Sequence, residues 1–169
     1  MSGLKGRERL QPSLLDRLTD NNPSVKRDGP DQQVLTLPQL RQAVLRDLAA
    51  LLNTSNLESV VELEAAPLAA RSSINYGIPG LAGLLENSSR IHSLEERLED
   101  AIKAFEPRIR SETVKVRMRG TSADGGMPSI VLEIEGELWA QPVPVQLFLE
   151  TKIEVETRLA AVTEVKSSH

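Results

Sequence analysis

Between Ala101 and Arg119 the chain reads AIKAFEPRIRSETVKVRMR, and its hydrophobic period changes within that stretch. Up to Phe105 the apolar residues recur at three and four residue intervals, as on one face of a helix. From Val114 they alternate, as in a half-buried strand. Val114, Val116 and Met118 face one way and Lys115, Arg117 and Arg119 the other. The switch falls at Glu106-Pro107-Arg108. Pro107 has no backbone donor, and a proline disfavours helical backbone in the residue before it, so the helix stops there. Helices are therefore expected before the triplet and strands after it.

Upstream, SLEERLEDAIKAFEP places Leu94, Leu98, Ala101, Ile102 and Phe105 on one stripe, with Ser93 and Glu96 at capping-box spacing. Glu95, Glu99 and Lys103 fall on the opposite, solvent face, where Glu99 and Lys103 form a weak supporting pair. A second helix is predicted in TLPQLRQAVLRDLAALLNT, with a stripe of Leu40, Val44, Leu48, Leu51 and Leu52. Thr36 and Gln39 have capping-box spacing, and the helix should stop near Asn53. Arg41, Arg46 and Asp47 lie off the stripe. The connection INYGIPGLAGLL mixes aliphatics with three glycines and a proline, which predicts a tight apolar turn packed on the core. It matches neither the dinucleotide fingerprint nor the lysine-bearing phosphate loop.

Nearer the start, SLLDRL predicts a short helix capped by Ser13, with Leu14, Leu15 and Leu18 on its apolar side. Residues 19–33 contain one aliphatic, Val25, and two prolines, and are expected to form a mobile linker or a loop fixed by a partner.

Downstream, IVLEIEGEL alternates Ile130, Leu132 and Ile134 against Val131, Glu133 and Glu135. A hairpin folded about Gly125 sets Lys115 against Glu135 and Arg117 against Glu133. The last alternation puts Val143, Val145, Leu147, Leu149, Thr151, Ile153 and Val155 on one face and Gln146, Glu150, Lys152, Glu154 and Glu156 on the other, with Phe148 out of pattern. Such a run exceeds the usual strand of about 5 to 6 residues, so part of it should project beyond the sheet or bend at a bulge. An unpaired projecting strand is a place for another chain to add. The fold class is α+β: N-terminal helices packed on a C-terminal antiparallel sheet of at least three strands. Residues 1–35 read as a short helix and flexible linker, 36–160 as the single domain and 161–169 as a disordered tail.

A chain of 169 residues suits one domain. It has no cysteine, which removes disulfides and thiolate metal sites and suits the cytoplasm. Neither an apolar run of signal length at the N-terminus nor a membrane-spanning one is present. A net charge of −4 and only four aromatics argue against nucleic acid. The two histidines, His92 and His169, have no metal-ligand spacing and form no catalytic grouping. Glycoside hydrolysis needs two carboxylates across a cleft; Glu106, Glu133 and Glu135 are carboxylates without such placement. The Glu106-Pro107-Arg108 triplet has two readings. One is a helix stop with an exposed ion pair worth about 0 to 1 kcal/mol. The other is an anchor, two charges projecting from a rigid turn toward a partner's carboxylate or carbonyls. On the anchor reading, Arg108→Ala leaves the isolated fold intact.

LRQAVLRDLAALLNT, SSINYGIPGLAG and AIKAFEPRI, in this order and before an alternating C-terminal region, resemble the TssE proteins, baseplate wedge subunits of type VI secretion systems related to the lysozyme-like wedge proteins of contractile phage tails. The resemblance spans roughly residues 11–156. Where that family often has an acidic residue after the proline of the second motif, this chain has Gly80. The resemblance implies a structural role without a cofactor or metal. Glu106, Pro107 and Arg108 would seat the subunit on the core bundle of TssF and TssG, with TssK in the same assembly. The C-terminal strands, through Val145, Leu147, Leu149, Ile153 and Val155, would template the contractile sheath of TssB and TssC. It implies a cytoplasmic protein without membrane insertion. The alternative is a lysozyme-like peptidoglycan hydrolase using paired carboxylates.

Overall fold

A computed structural model describes residues 13, 16, 18, 19, 24, 35–80, 88–122, 129–139, 144–154, 157 and 159–165. Helix α1, Leu37–Leu52, starts where its sequence signals say. The Thr36 side chain accepts from the Gln39 backbone amide, Gln39 returns a bond to the Thr36 amide, and Asn53 closes the other end. Among the described residues, a short helix α2, Pro67–Ala70, and two single 3-10 turns lead toward the long helix α3, Ser88–Phe105. Because α3 already begins at Ser88, Ser93 lies inside it and does not cap it.

Four strands follow: β1 (Lys115–Ser122), β2 (Ser129–Leu138), β3 (Val145–Glu154) and β4 (Ala160–Glu164). They form one antiparallel meander in the order β1-β2-β3-β4. Lys115 pairs with Glu135 and Arg117 with Glu133, the register that the charge pattern predicts. The ion pair itself is made one step along, from Arg119 to Glu133 at 2.7 Å, next to the irregularity between Met118 and Gly120. The hairpin apex at Gly125 lies outside the described residues.

The stripes of α1 and α3 meet one face of the sheet in a single core, from Leu40, Leu48 and Leu98 through Leu132 and Ile134 to Leu149 and Ile153. Each such side chain contributes about 1.5 to 3 kcal/mol by leaving water. Helix α1 packs beside β4 and α3 beside β1, so the two helices divide the sheet between them.

Three expectations need correction. Strand β3 does not project, because β2 is equally long and pairs with it from Ser129–Glu154 to Leu138–Val145. Residues 161–164, expected in a disordered tail, belong to β4 and pair with Leu149–Lys152. Leu18, expected on an apolar face, is 74% exposed, although Ser13 does accept from the Asp16 amide as a cap. Leu14, Leu15 and nearly all of residues 19–33 lie outside the described residues.

Thr151 occupies a core position of β3 with no exposure, and its Oγ1 has no hydrogen-bond partner among the described residues. A buried hydroxyl without a partner costs about 1 to 3 kcal/mol. Thr151→Val, nearly the same shape, should therefore raise the denaturant midpoint by an amount corresponding to about 1 kcal/mol or more. A lower midpoint would show that the hydroxyl is bonded.

Candidate functional site

The ionic corner begins where α3 ends. The Glu106 amide donates the last helical bond to Ile102, and the Ile109 amide then bonds back to the Glu106 carbonyl, closing a turn around Pro107. Residues 108–110 run on as a short antiparallel rung against the end of β2. The Arg110 amide bonds Glu137 at 2.9 Å, the Trp139 amide bonds Arg108 at 2.7 Å, and Ile109 bridges Leu138. Gly136 permits this approach, since a Cβ there would stand 2.7 Å from Ile109 Cγ2.

The charges of the corner turn inward. Glu106 is only 3% exposed. Its Oε1 accepts from the Arg108 amide at 3.1 Å and from Arg108 Nε at 2.6 Å, and its Oε2 accepts from Arg108 Nη2. The same Nη2 reaches Asp47 Oδ2 on α1 at 2.6 Å. Burial alone would make the guanidinium less basic, but Glu106 and then Asp47 outweigh it and raise its pKa. Asp47 also accepts from Arg46 Nε at 2.8 Å, and Arg46 continues to Asp16 at 2.5 Å. The projecting pair expected of Glu106 and Arg108 is thus an internal one. The proline-fixed turn holds the guanidinium against its own carboxylate. Pro107 is the exposed member of the triplet.

The three motifs quoted from the sequence converge here. Tyr76 packs edge-on against Phe105, ring centroids 5.2 Å apart and planes at 69°. Its hydroxyl is made less acidic by burial and by the nearby Asp47 and Glu106 carboxylates. The Ile78 amide bonds the Thr54 carbonyl at 2.8 Å and the Asn56 amide bonds Ile78 at 3.0 Å, which clamps the glycine turn to the end of α1. Gly77 has φ +127°, and a Cβ there would lie 2.5 Å from Thr54 O, so only glycine fits. Asp47 is the member that the sequence pattern missed. Its one signal was a charged position off the apolar stripe of α1.

The sheet offers a second kind of surface, its edges. At β1 two outward amides are taken: Val116 N–H donates to Glu99 Oε1 at 3.1 Å and Met118 N–H to Glu95 Oε1 at 2.7 Å. The face of α3 bearing Glu95 and Glu99, expected to be solvated, therefore lies over the β1 edge. For Glu99, burial raises the carboxyl pKa, but Lys103 at 2.9 Å and the Val116 amide more than offset this, leaving it lowered. At β4, bonds from Glu154 N–H to Leu159 and from Val165 N–H to Phe148 fix which residues face β3. The alternate ones, Ala160, Val162 and Glu164, turn their backbone groups outward. Asn53 caps Ala160 with both side-chain amide atoms, at 2.8 and 2.9 Å. The outward N–H and C=O groups of Val162 and Glu164 have no hydrogen-bond partner among the described residues.

The residues expected to meet a sheath stand elsewhere than on an open edge. Leu147, Leu149 and Ile153 are core side chains on an inner strand, Val145 is half-buried and Val155 lies outside the described residues. The alternation is that of a strand buried on one face and paired on both sides. Of the carboxylates considered for hydrolysis, Glu106 has both oxygens bound to Arg108, and Glu133 pairs with Arg119. Among the described residues, no group of three His, Asp or Glu could hold a metal, and no helix is long and apolar enough to cross a membrane.

Residues 38–143, well over half of the chain, match the family model of the baseplate wedge protein gp25. The chain belongs to the gp25 baseplate wedge family. Searches of curated proteins and of solved structures each returned no match. The matched range holds α1, the Gly77 turn, α3, the ionic corner, β1 and β2, while β3 and β4 lie beyond it. Membership makes this a structural component of a phage-tail-like baseplate, working in assembly with other baseplate proteins.

Because Glu106 is buried against Arg108, removing the guanidinium leaves an uncompensated interior charge. Arg108→Ala is expected to cost about 3 to 5 kcal/mol of unfolding free energy, measured by chemical denaturation, and Arg108→Lys distinctly less. This reverses the expectation that the alanine variant keeps its stability, and an unchanged midpoint would restore that expectation.

Proposed function

We propose that this protein is the TssE-type wedge subunit of a cytoplasmic type VI secretion baseplate, a non-enzymatic adaptor. Through its corner it docks on the wedge core of TssF and TssG, with TssK in the same assembly, and through its sheet it templates the contractile sheath of TssB and TssC. The observation that carries the sheath half is the asymmetry of the sheet. At β4, both the N–H and the C=O of two successive outward positions, Val162 and Glu164, are unbonded among the described residues, whereas at β1 the amides of Val116 and Met118 are taken. An added strand would complete those bonds, and main-chain pairing needs few aromatic anchors. The corner contributes by shape. Its ion pairs fix the turn, Pro107 stands on its surface, and a preorganised turn loses little entropy on docking.

The test uses the full chain produced together with wedge and sheath proteins. Val162→Pro removes an outward donor and spares the bonds to β3, so the fold should survive. Wedge capture should persist while sheath capture falls about tenfold or more, as main-chain pairing at this edge requires. Pro107→Asp, which leaves the Glu106–Arg108 pair in place, should instead reduce wedge capture. Undiminished sheath capture by a folded Val162→Pro variant would refute the edge reading, and a native chain that captures neither set of proteins would refute the assignment itself.

A further inference from the structure

A sheet edge with free backbone groups pairs with whatever strand it meets, and natural proteins close such edges by charge, proline, bulge or cover. Strand β1 is closed by an uncommon fit. Glu95 and Glu99 are one helical turn apart on α3, a rise of about 6 Å, while Val116 and Met118 are two residues apart on β1, a rise of about 7 Å. The two spacings agree well enough for each carboxylate to accept one outward amide, at 2.7 and 3.1 Å. Each second oxygen is held on the helix: Glu99 Oε2 by Lys103 at 2.9 Å, Glu95 Oε2 by His92 Nδ1 at 3.3 Å. Carboxylates suit this task because they only accept. They satisfy the strand's donors and set negative oxygens where an incoming strand would bring its carbonyls.

The opposite edge is the complement of what the carboxylates conceal. Val162 and Glu164 of β4 turn outward at the same two-residue spacing as Val116 and Met118 of β1. Set antiparallel, Val116 against Glu164 and Met118 against Val162, the two edges could exchange four backbone bonds. Such a contact joins different surfaces of two copies, so it would run on head to tail, as a ring or as a filament.

We infer that β1 is a latent docking edge for the β4 edge of a second copy, and that Glu95 and Glu99 are the latch that keeps the chain from polymerising head to tail. Strand addition is thereby confined to one side of the sheet. The inference does not depend on which protein uses the β4 edge.

The experiment follows the mass of the full chain by sedimentation as concentration rises. The native chain and Glu95→Gln/Glu99→Gln should stay monomeric, because glutamine keeps the accepting Oε1. Glu95→Ala/Glu99→Ala should rise with concentration to at least about twice the monomer mass, as a heterologous contact requires. Adding Val162→Pro should return that variant to the monomer, which separates edge pairing from aggregation of unfolded chain. A folded alanine variant that stays monomeric overturns the inference, as does association that Val162→Pro leaves unchanged or a native chain that already associates. Should the double variant not fold, Glu95→Ala and Glu99→Ala singly decide it: association sensitive to Val162→Pro supports the latch, and two monomeric proteins refute it.

Discussion

A sheet that does not close into a barrel has two edges, and helix α3 makes those of this protein unequal. From its middle turns Glu95 and Glu99 bond the β1 amides; at its end Glu106 bonds Arg108 and so fixes the chain's exit toward β2. One helix therefore holds the sheet by its first strand and by the far end of its second. The remaining edge falls to α1, which lies along β4. Asn53 reaches Ala160 at one end, and Arg41 reaches Glu164 at the other, at 2.6 Å. Among the described residues, the outward backbone groups of Val162 and Glu164 stay unbonded, and the proposed assembly role of the sheet rests on them.

The ionic corner shows how a charged motif can fix a turn by spending its charges internally. A carboxylate buried to 3% exposure is tolerable only with a partner, and Arg108 supplies three donors to it within two residues. Asp47 then ties the same guanidinium to α1, and the Tyr76–Phe105 contact ties the glycine turn to α3. Three segments far apart in sequence become one rigid unit, within the part of the chain that matches the gp25 baseplate wedge family. Rigidity of this kind presents Pro107 and the neighbouring rung in a fixed attitude.

Much of the fold is legible in the sequence because its signals are local. The Thr36–Gln39 capping box, the stop at Pro107 and the charge register of β1 with β2 depend on residues near one another or on a simple alternation. Strand β4 is not legible because AAVTE is short and follows polar residues, with only Ala160 buried. The length of β3 reads as overhang because an equal β2 on one side and β4 on the other are facts of pairing, which periodicity does not carry. At the corner, the stop at Pro107 is legible but the inward turn of its charges is not. Which way Glu106 and Arg108 turn depends on Asp47, about 60 residues away, and on the buried setting that makes pairing obligatory. Glu95 and Glu99 fall on a solvated face by sequence for the same reason, since helical periodicity does not show that a strand edge lies beside it.

Amide hydrogen exchange of the isolated chain tests the inequality of the two edges most directly. Val116, Met118 and Ala160 should exchange slowly, like amides inside the ladder, whereas Val162 and Glu164 should exchange near the rate of solvent-exposed amides. Fast exchange at Val116 and Met118, or protection at Val162 and Glu164 equal to that of their β4 neighbours Ala161 and Thr163, would contradict the account.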